Sequence, residues 1–454
     1  MRLTQFVPAG AKRAQTALCA LLCVCFQGCF AGSASSQGVS EDMHYEIKNI
    51  KIDIPSPVRE ILHTLNDAGF EAYIVGGCVR DSILGVQPKD WDITTQALPY
   101  QVKSLFKSTV DTGIEHGTVM VIKYGEGYEV TTFRIDGKYL DGRHPESVAF
   151  TPSLQEDLKR RDFTINAFAY SPESGVTDLF GGISDLNNSV IRCVGKPEER
   201  FGEDALRMMR AVRFCAQLGF DIEEKTAGAI AKLAPKLAQV STERIRAEFE
   251  KTLCSKNPAY VNLYKKYHLA PYIFPQVYEK CFGKDEAAVF ALLEETDEQA
   301  MKYLRLAAFF DKLSYEEAKK TFKSFTYDNR TADVVSCIIK FRDVYVKEDP
   351  ASVKRAMRDE RAEIFTLTQK LNIARAGAAG EDASHFERLL EISDGIERRR
   401  EPYLVSHLAL SGSDLIEAGI PRGVRIGKEL NRLLDLVIEK PELNTEKKLL
   451  ELIK

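Results

Sequence analysis

The chain changes its hydrophobic period once, and that switch limits the folds open to it. Residues 72 to 134 carry short apolar runs broken by glycine, whereas from Leu154 to Lys454 apolar residues recur at helical spacing almost throughout. Such a pattern suits a small helix-flanked sheet followed by a long helical region, an α+β head with an all-α remainder. At 454 residues the chain is long enough for three or four modules. Its composition, 44% hydrophobic and 28% charged, is that of a globular protein and excludes collagen-like, disordered and integral membrane classes. A formal net charge of -4 excludes histone-like binding of polyanions but leaves room for a local basic face.

Four of the ten cysteines, Cys19, Cys23, Cys25 and Cys29, fall within residues 1 to 42, and the others stand singly, so no disulfide framework or zinc-binding spacing is expected. Residues 1 to 42 form a leader that reads like a secretory signal peptide: Arg2, Lys12 and Arg13, then an apolar run from Ala17 to Phe26, then small residues. The run is too short to span a bilayer as a mature helix. The competing reading starts translation at Met43, and the chemistry read further along the chain favours it.

Within the head, helix is expected over Val58–Ala68, Val79–Leu84 and Val102–Phe106. Strands are expected over Ala72–Val75 and Asp90–Thr94, with Val119–Tyr124 and Tyr128–Arg134 paired around Gly125-Glu126-Gly127. Further helices are expected over Leu154–Ala169, Asp204–Leu218, Lys225–Leu237 and Thr242–Leu253.

Asp90-Trp91-Asp92 on a strand would turn both carboxylates to one side. Two oxygen ligands on one face suit Mg²⁺, which also takes substrate phosphate oxygens; a pair of such ions can activate a hydroxyl and steady a leaving pyrophosphate. Fourteen residues earlier, Gly76-Gly77-Cys78-Val79-Arg80-Asp81 places a glycine turn at a helix N-terminus, where free amides can hold a triphosphate and Arg80 lies one turn in.

These strings resemble the signature of class II tRNA nucleotidyltransferases and bacterial poly(A) polymerases, within the polymerase β superfamily. The resemblance continues in order through His116-Gly117-Thr118-Val119, Glu129-Val130-Thr131-Thr132-Phe133-Arg134, Asp157 to Ala167 and Arg200 to Phe214, with looser likeness at Leu410 to Leu415 and Gly427 to Leu430. It implies a nucleotidyltransferase head (43–187), a neck that reads the base (188–255), a helical body (256–345) and a helical tail that binds tRNA (346–454). It implies metal on Asp90 and Asp92 with Glu129 as a third carboxylate, and nucleotide phosphates and ribose held by Arg160, Arg161 and Asp162, Arg161 foremost.

Asp204, Arg207, Arg210 and Arg213 recur every three residues, so neighbours share a helix face. Asp204 can accept from the exocyclic amine of cytosine or adenine while Arg207 donates to the adjacent ring nitrogen; uracil and guanine present the reverse polarity. The resemblance implies the same template, with Arg210 and Arg213 completing the nucleotide site. The stretch Gly137 to Pro145 resembles the loop that family members need to add adenosine after two cytidines. Arg398-Arg399-Arg400 and the group Arg422, Arg425 and Lys428 are either solvated helix surface or contacts to tRNA phosphates.

The expected activity is therefore addition or repair of the 3′-terminal CCA of tRNA from CTP and ATP with Mg²⁺, releasing pyrophosphate, in the cytoplasm. The alternatives are a poly(A) polymerase, an A-adding tRNA nucleotidyltransferase and a non-catalytic RNA-binding protein; Asp90 and Asp92 speak against the last.

Overall fold

The structure, a computed structural model, describes residues 45–47, 50–137, 148–282 and 285–453. The leader, the start at Met43 and all of the Gly137 to Pro145 loop except Gly137 lie outside the described residues. The chain divides into two compact units, one ending at Tyr278 and one beginning at Glu279.

In the first unit, α1 (Ser56–Asp67) turns Val58, Ile61, Leu62 and Leu65 into the core, an i, i+3, i+4, i+7 stripe. The chain then enters β1 (Ala72–Val75), α2 (Gly77–Ile83), β2 (Ile93–Thr95) and α3 (Pro99–Leu105). After β3 (Thr109–Gly113), the pair β4 (Thr118–Lys123) and β5 (Glu126–Thr132) meets antiparallel around the expected glycine turn. A short pair, β6 (Arg134–Asp136) and β7 (Val148–Phe150), precedes α4 (Leu154–Lys159). With β8 (Phe168–Ser171) and β9 (Gly175–Asp178), a seven-stranded sheet forms in the order β3-β4-β5-β2-β1-β8-β9. Its β2–β5 pairing is parallel, with Ile93 beside Val130 and Thr94 beside Thr131.

Two expectations within the head need correction. The strand expected over Asp90–Thr94 pairs only over Ile93–Thr95, so Asp90 and Asp92 lie in the segment that feeds it. The helix expected over Leu154–Ala169 stops at Lys159. Beyond it come a single 3-10 turn, Thr164–Asn166, and β8, which is buried at all four residues between β1 and β9. A strand buried on both faces gives a continuous apolar run, which periodicity does not separate from a buried helix.

The sheet is followed by α5 (Gly182–Asn187), β10 (Val190–Ile191), α6 (Pro197–Glu203) and α7 (Leu206–Leu218), then β11 (Asp221–Ile222), α8 (Glu224–Leu233) and α9 (Thr242–Leu253). Asp204 is thus outside the helix expected to hold it, an extended residue (φ -142°, ψ 106°) between α6 and α7. α7 ends where Gly219 takes φ 75°, a left-handed cap that glycine adopts without a Cβ penalty. The helix expected over Lys225–Leu237 is α-helical only to Leu233 and tightens into a 3-10 segment at Ala234–Gln239, which contains Pro235.

The second unit is helical. Asp297, Ser314, Asp328 and Asp349 each accept a backbone amide at the start of a helix, the expected satisfaction of free N–H groups there. One apolar cluster joins Val353, Met357, Phe365, Leu389 and Ile396; another joins Leu415, Leu433, Val437 and Leu449. Lys354 is fully buried, its ammonium 2.6 Å from Glu401.

Candidate active site

The turn from β1 into α2 sets the site. The Val75 amide donates to the Asp92 carbonyl at 3.0 Å and the Gly76 amide to Phe168 at 3.1 Å, so the acidic segment and β8 flank the glycine turn. Gly76 has φ 79° and ψ -130°, a conformation open to glycine and strained for other residues. A Cβ there would lie 2.8 Å from Arg161 Nη1, so the bare backbone is also what lets this guanidinium approach.

A cleft of about 210 Å³ opens over the sheet, lined by Asp92, Glu129, Thr118, Arg134, Arg160 and Arg161 among others. The β2–β5 register accounts for its acidic side: one step back from the Ile93–Val130 pair brings Asp92 to Glu129, both turned away from the core. Burial pushes the Asp92 carboxyl up, Arg161 opposes this and Asp90 adds to it. Glu129 is raised by burial and then by Asp92 and Asp90. Three carboxylates thus act on one another, the situation a divalent cation relieves. Among the described residues no group of three or more His, Cys, Asp or Glu side chains stands ready to hold a metal ion by itself.

The basic side is anchored by Asp157, for which the sequence analysis had no role. Asp157 is fully buried and accepts Arg160 Nε and Nη2 at 3.0 and 2.9 Å, with Arg161 Nη2 at 3.5 Å. Burial alone would raise its carboxyl; Arg160 and Arg161 outweigh that and hold it below the usual range. Among the described residues, the buried Arg161 Nε has no hydrogen-bond partner.

Arg80, Asp162, Arg210 and Arg213 are not among the cleft's lining residues. They form a largely buried network. Arg80 donates to Asn166 and ion-pairs with Asp81, Asn166 donates to Asp162, and Arg210 Nε and Nη2 meet Asp162 Oδ2 at 2.7 and 2.6 Å. Arg210 and Asn166 hold Asp162 well below the ordinary carboxylate range against the effect of its burial. Arg213 turns to Glu248 at 2.6 Å, and the guanidinium groups of Arg80, Arg210 and Arg213 all pack on the Phe214 ring.

Asp204 and Arg207 are joined through the backbone, the Arg207 amide donating to the Asp204 carbonyl at 3.1 Å. Arg207 Nη1 meets Glu203 at 2.5 Å, and Nη2 donates to the Arg160 carbonyl at 3.1 Å, which ties it to the loop carrying Arg161. Arg422, Arg425 and Lys428 are exposed in the second unit, Arg425 and Lys428 on the helix Val424–Glu439.

Comparison with known proteins adds what geometry does not. Residues 72–192 match the poly A polymerase head domain, and residues 219–281 a domain described as the probable RNA and SrmB-binding site of polymerase A. The CCA-adding enzyme of Leuconostoc mesenteroides is 40% identical over 395 residues, 85% of this chain and 92% of that one. The chain belongs to the family of CCA-adding enzymes. A crystal structure from the same family, the Bacillus stearothermophilus enzyme in complex with CTP, superposes with a TM-score of 0.72 at 32% identity, covering 87% of this chain and 96% of that one. The Thermotoga maritima CCA-adding enzyme complexed with tRNA shares the fold, with a TM-score of 0.59 at 22% identity over 88% of this chain and 95% of that one. Among the described residues no helix is long and apolar enough to cross a membrane.

Sequence reasoning missed Asp157, Glu248 and Arg244. Asp157 could have been found from its i, i+3 and i, i+4 spacing to Arg160 and Arg161. Glu248 and Arg244 lie in α9, far along the chain from their respective partners Arg213 and Asp204, and nothing local marks them.

Proposed function

We propose that the protein builds or repairs the 3′-terminal CCA of tRNA, using CTP and ATP and releasing pyrophosphate. The observation that carries this is the cleft in which Asp92 and Glu129 face Arg160 and Arg161, the Nε of Arg161 having no partner among the described residues. In the reaction the tRNA 3′ hydroxyl oxygen bonds the α-phosphorus, the bond from that phosphorus to the α–β bridging oxygen breaks so that this oxygen leaves with pyrophosphate, and the hydroxyl proton passes to water. Asp90 and Asp92 would hold Mg²⁺, which supplies charge neutralisation on the phosphates and a more acidic hydroxyl. Glu129 completes the acidic side. Arg161, and Arg160 beside it, donate to the phosphates, while Gly76 and Gly77 let the backbone approach them.

Asp162, Arg80, Arg210 and Arg213 serve this nucleotide site by fixing the loop and helix around it. Asp204 and Arg207 read the base, accepting from an exocyclic amine and donating to the neighbouring ring nitrogen. Residues 43–187 act as head, 188–255 as neck, 256–345 as body and 346–454 as tail, with the exposed Arg422, Arg425 and Lys428 on tRNA phosphates. The protein works in the cytoplasm, where tRNA and both nucleotides are found.

The test is incorporation of labelled CTP and ATP onto tRNA truncated by zero, one, two or three nucleotides. Two cytidines and one adenosine added to the fully truncated tRNA, and nothing to the intact end, are expected. Adenosine alone, added to tRNA ending in two cytidines, would assign an A-adding enzyme; untemplated adenosine runs would assign a poly(A) polymerase.

A further inference from the structure

The Asp204 carboxylate is held by a residue from another helix. Arg244, in the first turn of α9, donates from Nη2 to Asp204 Oδ2 at 2.7 Å and from Nη1 to Oδ1 at 3.3 Å, a two-pronged pair. The Leu206 amide donates to Oδ1 at 3.0 Å, capping the start of α7. A carboxylate offers about four acceptor positions, two on each oxygen. Oδ1 is then fully used and Oδ2 half used. Among the described residues nothing else meets Oδ2. Both side chains remain partly accessible, at 22% for Arg244 and 15% for Asp204.

We propose that Arg244 is a positioning residue for base selection: it fixes the Asp204 carboxylate so that a single acceptor position, on Oδ2, faces an incoming base. This rests on the reading of Asp204 as a base-reading group and extends it. One remaining lone pair takes the single N–H that an exocyclic amine turns toward it and repels the carbonyl that uracil or guanine brings to the same place. A carboxylate free to rotate could instead turn aside from that carbonyl, and discrimination would fall. The guanidinium fork matters as geometry as well as charge, because a lysine ammonium at this place is a point donor and does not fix the plane of the carboxylate.

The experiment compares kcat/KM for CTP and UTP on tRNA lacking CCA in the full chain and in Arg244→Ala, Arg244→Lys and Asp204→Ala, with thermal melting and tRNA binding measured alongside. Arg244→Ala should lower the CTP to UTP ratio about tenfold or more, mainly through gained UTP use, with tRNA binding retained. Arg244→Lys should recover less than half of that loss on a logarithmic scale. If Arg244→Ala does not fold, Arg244→Lys decides: a ratio reduced at least about threefold supports the proposal and an unchanged ratio overturns it. An unchanged ratio in a folded Arg244→Ala, or a rise in CTP efficiency, overturns the positioning role, the latter because Arg244 would then block Asp204. If Asp204→Ala leaves the ratio unchanged, the underlying base-reading assignment fails; if Asp204→Ala lowers it while Arg244→Ala does not, only the role of Arg244 fails.

Discussion

Asp162 and Arg210 lie 48 residues apart in the chain and meet through two hydrogen-bond contacts of 2.7 and 2.6 Å. This pair fastens the loop after α4 to the middle of α7, and so fixes the cleft-lining Arg160 and Arg161 relative to the helix that follows Asp204. Asp162 is 7% exposed and Arg210 about one-third exposed, so removing either partner leaves a charge that water replaces only in part.

Asp162→Asn should therefore destabilise the first unit by about 3 kcal/mol, at the low end of the buried-pair range because Arg210 is about one-third exposed. The carboxyl is held below its unfolded value of about 3.9. Its contribution is thus present above that pH and lost as the pH falls further. Urea unfolding from pH 3 to 7 should show the wild type losing stability at the acid end more steeply than the variant; parallel curves would remove the pair from the account.

Asp90→Ala or Asp92→Ala should reduce nucleotide transfer at least about a hundredfold, roughly 2.7 kcal/mol in transition-state terms. Binding of tRNA should persist, since both side chains are acidic and supply no attraction to RNA phosphates. Single-turnover rates with filter binding on the same preparations check both halves.

Gly76→Ala should cost about 1 to 3 kcal/mol from backbone strain alone, because φ is 79° and ψ -130°. It should also weaken nucleotide use, since the new methyl carbon lies 2.8 Å from Arg161 Nη1 and displaces it. Gly69, with φ 86° and open space around it, supplies the control: Gly69→Ala carries the strain and leaves the KM for CTP unchanged. Equal KM values in both variants would count against the role of Arg161.

Glu360, at the end of Pro350–Glu360, is buried, and its Oε2 has no hydrogen-bond partner among the described residues. Burial and Asp359 push its carboxyl up to about 7 against the pull of Lys340. Its unfolded value is about 4.3. The folded chain thus holds the extra proton between about pH 4.3 and 7, and stability declines as the pH rises through that window. Glu360→Gln should melt with the wild type near pH 4 and several degrees above it at pH 8. Identical melting temperatures at pH 8 would show that the carboxylate is accommodated at no cost.

Much of the site was written locally. The glycine turn at Gly76, the acids Asp90 and Asp92, and the helix-forming pattern after Leu206 are short-range features, set by backbone freedom, side-chain charge and the 3.6-residue period. Each could be read from a few neighbouring residues. Three things could not. The sequence does not say that Asp90 and Asp92 stop short of the β2 pairing, because pairing depends on which strand arrives beside them, and β5 is contributed from further along the chain. It does not separate β8 from a continued helix, because a strand enclosed by β1 and β9 shows the same unbroken apolar run as a buried helix. It also does not reveal that Arg210 is committed to Asp162, Arg213 to Glu248 and Asp204 to Arg244, since these ion pairs join residues 35 to 48 positions apart. Residue types and local spacing determined which chemistry the chain carries; the tertiary structure decided which charges face the cleft and which are spent on holding it, because that division depends on long-range burial.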